Sequence, residues 1–421
     1  MGIKVTVVGG GSTYTPELVE GIANQGARFP VDELVLLDID PMRREVVGGL
    51  AGRMLKRLAW PGRLTVTDDR DAALDGASFI LLQLRVGGQA ARLVDETLPV
   101  RFGTIGQETT GAGGFAKALR TVPVVLEIAD EVRRRSAPGA WIVDFTNPVG
   151  IVTQALLDEG HRALGLCNVA IGLQRRFAER FSVAPDEVEL GHVGLNHLSW
   201  ERSVGIRGVD RLGEMLDGDG RELAEEMGLP IELMRRQHAI PSYYLRYYYL
   251  FEEVLREQRE GRSRAAEVAE IESRLLEMYR DPNLDEKPAL LADRGGAYYS
   301  EAAAQLMASL ADGRGDVQVV DLRNEGALPD LPADAVVEIP ARIDRDGAHP
   351  LPQEPMGDEL RELVLRVKAY ERLVVETIRT HDRQTALRAL EANPLVGPYL
   401  DPEPLLAALL EANRAFLPEF T

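Results

Sequence analysis

Over the first 170 residues, short apolar runs rich in β-branched side chains alternate with longer stretches of helical periodicity. Residues 3–8, 33–38, 64–67, 79–84, 141–145 and 164–167 predict strands. Several of these runs are apolar almost without interruption, as expected for strands of a parallel sheet covered on both faces. Helical patterns lie between them; residues 123–135, for example, stop before Ser136-Ala137-Pro138-Gly139. This rhythm predicts an α/β fold with an N-terminal Rossmann-type, doubly wound parallel sheet. From about residue 170 the pattern changes. Residues 221–227, 243–260 and 263–279 predict helices, 317–322 and 335–339 strands, and 357–379 a long amphipathic helix. With no internal repeat and no low-complexity linker, the reading is two closely joined units: 1–168, and a C-terminal α+β unit over 169–421.

The chain's 421 residues suffice for two packed cores. Its formal charge of −19 argues against a nucleic-acid or anionic-membrane partner. An anionic small molecule stays open, because a local arginine cluster overrides the global field. Cys167 is the only cysteine, which rules out an intramolecular disulfide and fits a reducing, cytoplasmic setting. The first residues run straight into a strand, so no signal peptide is expected, and no apolar run is long enough to span a bilayer.

Gly9-Gly10-Gly11-Ser12-Thr13 follows the first strand, where a dinucleotide pyrophosphate meets a helix N-terminus. A Cβ at such a turn would hold phosphate away from the backbone N–H groups. Gly9 and Gly11 fit the G-x-G-x-x-G pattern, but Tyr14 stands where the third glycine belongs; Thr15 before Pro16 resembles a helix cap. Asp38 ends the second strand, where a carboxylate binds ribose hydroxyls and disfavours a 2′-phosphate, so NAD is expected over NADP. Its spacing from the turn is longer than usual, which an extended segment around residues 24–30 explains. Gly9, Gly11, Ser12, Thr13 and Asp38 are the cofactor candidates.

Four further segments carry a resemblance: Gly106-Gln107-Glu108-Thr109-Thr110-Gly111, Thr146-Asn147-Pro148, Gly165-Leu166-Cys167-Asn168 and Gly194-Leu195-Asn196-His197. With residues 9–16 ahead and Arg294-Gly295-Gly296-Ala297-Tyr298-Tyr299-Ser300 behind, the chain resembles the family 4 glycoside hydrolases over almost its whole length. That family is NAD-dependent, an exception among glycosidases. The resemblance implies a fold like that of lactate and malate dehydrogenases. It also implies redox-assisted elimination: hydride leaves C3 of the sugar, a base takes the C2 proton, the C1 leaving group departs, water adds, and the hydride returns.

By this resemblance, Cys167 and His197 are ligands of a divalent metal, commonly Mn²⁺, although thiolate is a soft partner for manganese. Tyr244, in Tyr-Leu-Arg-Tyr-Tyr, matches the catalytic base, with Tyr243 as the alternative among five crowded tyrosines. A free tyrosine is only ~0.1% ionised at neutral pH, an offset of roughly 4 kcal/mol, so it needs help. The expectation is that Glu108 raises its basicity and that the metal and Arg246 supply positive charge. Arg92, Asn147 and Arg294 match contacts to sugar or its 6-phosphate, Arg294 foremost because two glycines follow it; Arg85 is a weaker candidate. Asn168 replaces the aspartate that α-acting members often carry as acid, which places the chain with the 6-phospho-β-glucosidases.

The expected substrate is therefore a phosphorylated disaccharide or aryl glycoside, handled by a homodimer or homotetramer. Alternatives are a 6-phospho-α-glucosidase or α-galactosidase of the same family, a plain hydroxy-acid dehydrogenase, and a non-catalytic NAD-responsive binding protein. His192 is read as structural, and Arg43 and Arg44 as a solvated helix start.

Overall fold

The computed structural model describes residues 2–218, 220–296 and 298–420; Met1 of the N-terminal run, Ala297 of the Arg294–Ser300 motif and Thr421 of the second unit lie outside them. Thirteen strands are present among these residues: β1 Ile3–Val8, β2 Val31–Leu37, β3 Arg63–Thr67, β4 Phe79–Leu82, β5 Trp141–Asp144, β6 Ala163–Gly165, β7 Val188–Leu195, β8 Leu198–Ile206, β9 Val209–Asp210, β10 Ile240–Pro241, β11 Asp316–Arg323, β12 Val336–Asp344 and β13 Gly347–Pro350. The first six are parallel and stand in the order β6-β5-β4-β1-β2-β3, the doubly wound dinucleotide-binding arrangement.

The apolar runs are continuous because both faces of this sheet are covered. Val5, Val7, Leu34, Leu36, Phe79 and Leu81 enter one core; Val8, Val35, Leu37, Ile80 and Leu82 enter the core on the opposite face. Successive side chains thus divide between two layers of helices, as the period of two requires. The long turn-to-Asp38 spacing is explained as expected: a helical turn over Gly26–Arg28 follows the helix Thr15–Asn24 and delays β2.

The second half does not form a separate sheet alone. β11, β12 and β13 join the edge of β6 antiparallel and complete a nine-stranded sheet, while β7, β8 and β10 make a smaller antiparallel sheet. Val193 and Trp200 of that smaller sheet share one continuous core with Val5 and Leu36. Among the described residues, no helix is long and apolar enough to cross a membrane.

Two helices differ from expectation in ways that place the site. The helix predicted over 123–135 begins at Gly111, and Pro123 lies inside it. Its glycine-rich start reads as a loop, yet it is a packing device. A Cβ at Gly113 would sit 2.3 Å from the Gln107 carbonyl oxygen, and one at Gly114 2.4 Å from that of Thr109. The bare helix backbone therefore seats the 107–109 loop. The single helix predicted over 243–260 is three pieces, Tyr243–Leu245, Arg246–Tyr249 and Phe251–Glu260, broken at Leu250.

Candidate active site

A cavity of about 1390 Å³ opens at the C-terminal ends of β1 and β4, where the strand order reverses. Gly9, Gly11, Ser12 and Asp38 line one end; Glu108, Arg92, Asn147, Asn168, Tyr244 and Arg294 line the rest. Cys167 and His197 lie buried at 5% and 2% exposure, and Thr13 is fully buried.

At the glycine turn, Gly9 has φ +85°, and an added Cβ would lie 2.9 Å from the Gln83 carbonyl oxygen. Glycine is required there by conformation and by space. Asp38 has a second job besides facing the cavity. Its Oδ2 accepts the Gly11 N–H at 2.8 Å and its Oδ1 the Asp40 N–H at 2.9 Å, so it fixes the turn. The helix is capped one residue earlier than expected, at Tyr14. Ser12 Oγ accepts the Tyr14 N–H, and the Thr15 hydroxyl accepts from Gln83 instead of capping. Thr13 is fully buried and does not line the cavity; its hydroxyl goes to Glu272 at 3.2 Å.

Arg43 is not solvated, contrary to the sequence reading. It lines the cavity, donates to the Gly11 carbonyl at 3.3 Å and pairs with Glu272 at 3.2 Å. Arg44 is also engaged, with the Asp38 carbonyl and Asp68. A guanidinium whose carboxylate partner lies 229 positions away leaves no local sequence signal.

The chemical end is built from the 107–111 loop and the turn between β7 and β8. Asn196 and His197 alone connect those strands, and His197 takes the left-handed conformation, φ +61°, unfavourable for a side chain with a Cβ. Gln107 Oε1 accepts the Thr110 N–H at 2.8 Å and the Thr109 hydroxyl at 2.6 Å. The Thr109 hydroxyl proton is thereby committed, and its oxygen is left to accept from His197 Nδ1 at 2.8 Å. Nδ1 therefore carries the ring proton. Burial drives the His197 pKa down to about 3, so the ring is neutral with its lone pair on Nε2. That Nε2 is buried with no hydrogen-bond partner, the state a metal-binding nitrogen requires. Gln107 and Thr109 were missed by sequence reasoning, although both stand inside a motif it singled out.

Cys167 is the N-cap residue of the helix Asn168–Phe181 rather than a strand end. Burial, reinforced by Glu338, pushes its thiol well above the usual range, so a cation binding there must displace a proton. Soft sulfur plus imidazole suits a divalent transition metal, and both groups fit the ligand role the sequence suggests. Tyr244 stacks flat on the His197 ring, centroids 3.6 Å apart and planes at 8°. Burial raises its pKa well above 10, with Cys167 and Glu108 adding to the rise and Arg92 opposing it. The expected helper Arg246 turns elsewhere: it donates to the Tyr243 hydroxyl at 2.8 Å and to Glu257 at 2.6 Å. Within the short piece Tyr243–Leu245 the neighbours differ: Tyr243 is exposed, whereas Tyr244 is half-buried against His197.

Burial alone would raise the Glu108 carboxyl, but Arg85, Lys117 and Arg92 surround it and hold it well below the usual range. Lys117, also buried and repelled by Arg85, falls to about 7 even with Glu108 at 2.6 Å. Asn147 follows β5, carries a buried Oδ1 with no partner, and precedes Pro148 through a cis bond. Arg294 donates from Nε and Nη2 to Glu272 Oε1 at 3.2 and 3.0 Å. His192 is structural, as read: it bridges Glu201 at 2.6 Å and Glu338 at 2.7 Å, and Glu338 in turn accepts from Asn196 at 2.9 Å.

Comparison with known proteins identifies the family. The model of the family 4 glycosyl hydrolases matches residues 4–183, and that of the family 4 glycosyl hydrolase C-terminal domain residues 192–396. A probable 6-phospho-beta-glucosidase of Bacillus subtilis (strain 168) is 39% identical over 434 residues, covering 100% of this chain and 98% of the relative. The 6-phospho-beta glucosidase from Thermotoga maritima, solved with manganese, NAD⁺ and glucose-6-phosphate, superposes with a TM-score of 0.93 at 36% identity, covering 99% of this chain and all of that one. A 6-phospho-alpha-glucosidase from gut microorganisms, solved with NAD and glucose-6-phosphate, gives 0.92 at 27% identity over both full chains. At the level of fold alone, a lactate dehydrogenase from Cryptosporidium parvum gives 0.56 at 12% identity, covering 90% of this chain and 98% of that one. The chain belongs to glycosyl hydrolase family 4.

Proposed function

We propose that this protein hydrolyses 6-phospho-β-glucosides to glucose 6-phosphate and an aglycone, using NAD⁺ and a divalent metal. The observation that carries the reading is the stacking of Tyr244 on His197, whose unpartnered Nε2 is buried beside the same cavity as the glycine turn. Gly9, Gly11, Ser12 and Asp38, within the unit 1–168, would hold NAD⁺; Cys167 and His197 would hold the metal. When bound, NAD⁺ supplies the hydride acceptor for C3 of the sugar, and the cation supplies Lewis acidity at the sugar oxygens.

The chain's own residues do the rest. Tyr244 takes the C2 proton as its phenolate, a form the buried side chain adopts only when positive charge offsets the cost of ionisation. Arg92 is the nearby protein cation that favours its ionised form. Glu108, locked by three cations, raises the basicity of Tyr244 while fixing Arg92 in place. Arg294 and Arg92 meet the sugar and its 6-phosphate, a task suited to the planar guanidinium fork. Asn168 has no acidic proton to give, which supports the β-glycoside over the α-glycoside. The single, buried cysteine supports a cytoplasmic setting, and the working form is a homodimer or homotetramer; a monomer mass by light scattering contradicts that assembly.

The test is release of nitrophenol from the β-glucoside 6-phosphate with NAD⁺, Mn²⁺ and a thiol reductant, each then omitted. Activity on that substrate, lost without NAD⁺ or metal, is expected. Release from the α-anomer instead contradicts the Asn168 argument. Steady NADH formation on hydroxy acids with no nitrophenol contradicts the glycosidase reading.

A further inference from the structure

Glu272 lies far along the chain from the glycine turn, yet three separate segments converge on it. Its Oε1 accepts from the Thr13 hydroxyl at 3.2 Å and from Arg294 Nε and Nη2; its Oε2 pairs with Arg43 at 3.2 Å. Arg43 in turn donates to the Gly11 carbonyl. Two neighbouring bonds reinforce the same junction: the Tyr279 hydroxyl donates to the Thr13 carbonyl at 2.7 Å, and the Tyr14 hydroxyl to the Gly296 carbonyl. The carboxylate side chain is only 7% exposed, against 27% for Arg43 and 16% for Arg294. One buried negative charge thus sits between two guanidinium groups that would otherwise repel each other in a low-dielectric setting.

The two cations serve different ends of the cavity. Arg43 touches the turn that meets the cofactor. Among the described residues, Arg294 spends Nε and Nη2 on Glu272 and makes no bond through Nη1. We infer that Glu272 is a positioning residue that couples the cofactor site to the anion site, so that NAD⁺ bound at the turn tightens binding of a phosphorylated sugar at Arg294. This rests on the proposed function, in which Arg294 meets the 6-phosphate. The physical route is pre-organisation. A cofactor resting on the Gly11 turn holds the Thr13, Arg43 and Glu272 network in this one arrangement and so keeps Arg294 aimed. Coupling of this kind is reciprocal: glucose 6-phosphate must tighten NAD⁺ by the same factor.

The experiment measures dissociation constants for NAD⁺ with and without glucose 6-phosphate, and the converse, by calorimetry on the metal-loaded wild type, Glu272→Gln and Arg43→Gln. The wild type should show a coupling factor of roughly fivefold or more in both directions. Glu272→Gln keeps the shape and removes the charge; each ligand should still bind, with the factor reduced to near one. Arg43→Gln cuts the other arm of the bridge and should do the same, which covers the case of a Glu272 variant that fails to fold. A residue that merely supports the fold would weaken both ligands and leave the factor unchanged, and that result overturns the inference. A wild type that binds both ligands independently also overturns it while leaving the proposed function standing. A wild type that does not bind glucose 6-phosphate at all overturns both.

Discussion

The two ends of the cavity are finished to different degrees. At the glycine turn most polar groups are satisfied within the protein, Gln83 Oε1 excepted: both Asp38 oxygens accept backbone N–H groups, and Thr13 and Thr15 have partners in distant segments. At the other end, His197 Nε2 and Asn147 Oδ1 are buried without partners, and His197 occupies an unfavourable backbone conformation. Buried polar atoms are nearly always paired, and an unpaired one costs about 1–3 kcal/mol. The difference shows that the turn is a preformed cradle, whereas the chemical end holds valences in reserve for what binds there.

This contrast can be broken by mutation, and the largest expected effect is at Tyr244. Tyr244→Phe should lower kcat by on the order of 10³-fold, within the range for losing a general base, while NAD⁺ affinity stays unchanged. An equal loss of NAD⁺ binding would mean the two ends are not separate. Glu108→Gln should come next, because it leaves Arg85 and Lys117 without their buried counter-charge and Arg92 with Glu96 alone. Removing one partner of a buried ion pair costs about 3–5 kcal/mol, which a denaturation curve would register. Thr109→Val removes the acceptor that fixes the His197 tautomer and should weaken Mn²⁺ roughly 10- to 100-fold in an electron paramagnetic resonance titration.

The pH dependence sharpens the picture behind the metal end. Burial would lower the His192 pKa, but Glu201 and Glu338 raise it to about 10. The folded value exceeds the ordinary one, so the stabilisation is complete below about pH 6.5 and is lost as pH rises through about 10. Wild-type stability should decline across that window, and His192→Gln should flatten the slope. A parallel decline in both proteins would assign the effect to other groups.

Much of this was legible in the sequence because it rests on local rules. Almost uninterrupted apolar runs revealed strands covered on both faces, and the glycine turn and Asp38 carried their own signatures. Cys167 and His197 were identifiable only through ordered motifs; nothing local marks a buried cysteine or a turn histidine. Periodicity says which face of a strand is apolar but not which strand lies beside it, so the joining of β11 to β6 could not be read. The glycines at 113 and 114 lay outside the predicted helix over 123–135, because their purpose is close approach to a neighbouring backbone. Arg43 and Glu272 are separated by 229 positions, so an apparently solvated arginine proved to be part of the cavity wall.

The central claim is that the glycosidic bond breaks by elimination after the C2 proton is removed. Turnover in D₂O, with the released glucose 6-phosphate examined by mass spectrometry and NMR, tests it most directly. The account predicts deuterium at C2 of the product from the wild-type protein and turnover slowed by on the order of 10³-fold in Tyr244→Phe. Product that retains its original hydrogen at C2 after complete hydrolysis in D₂O, with NAD⁺ and metal present, would point to direct displacement at C1 and contradict the role given to Tyr244.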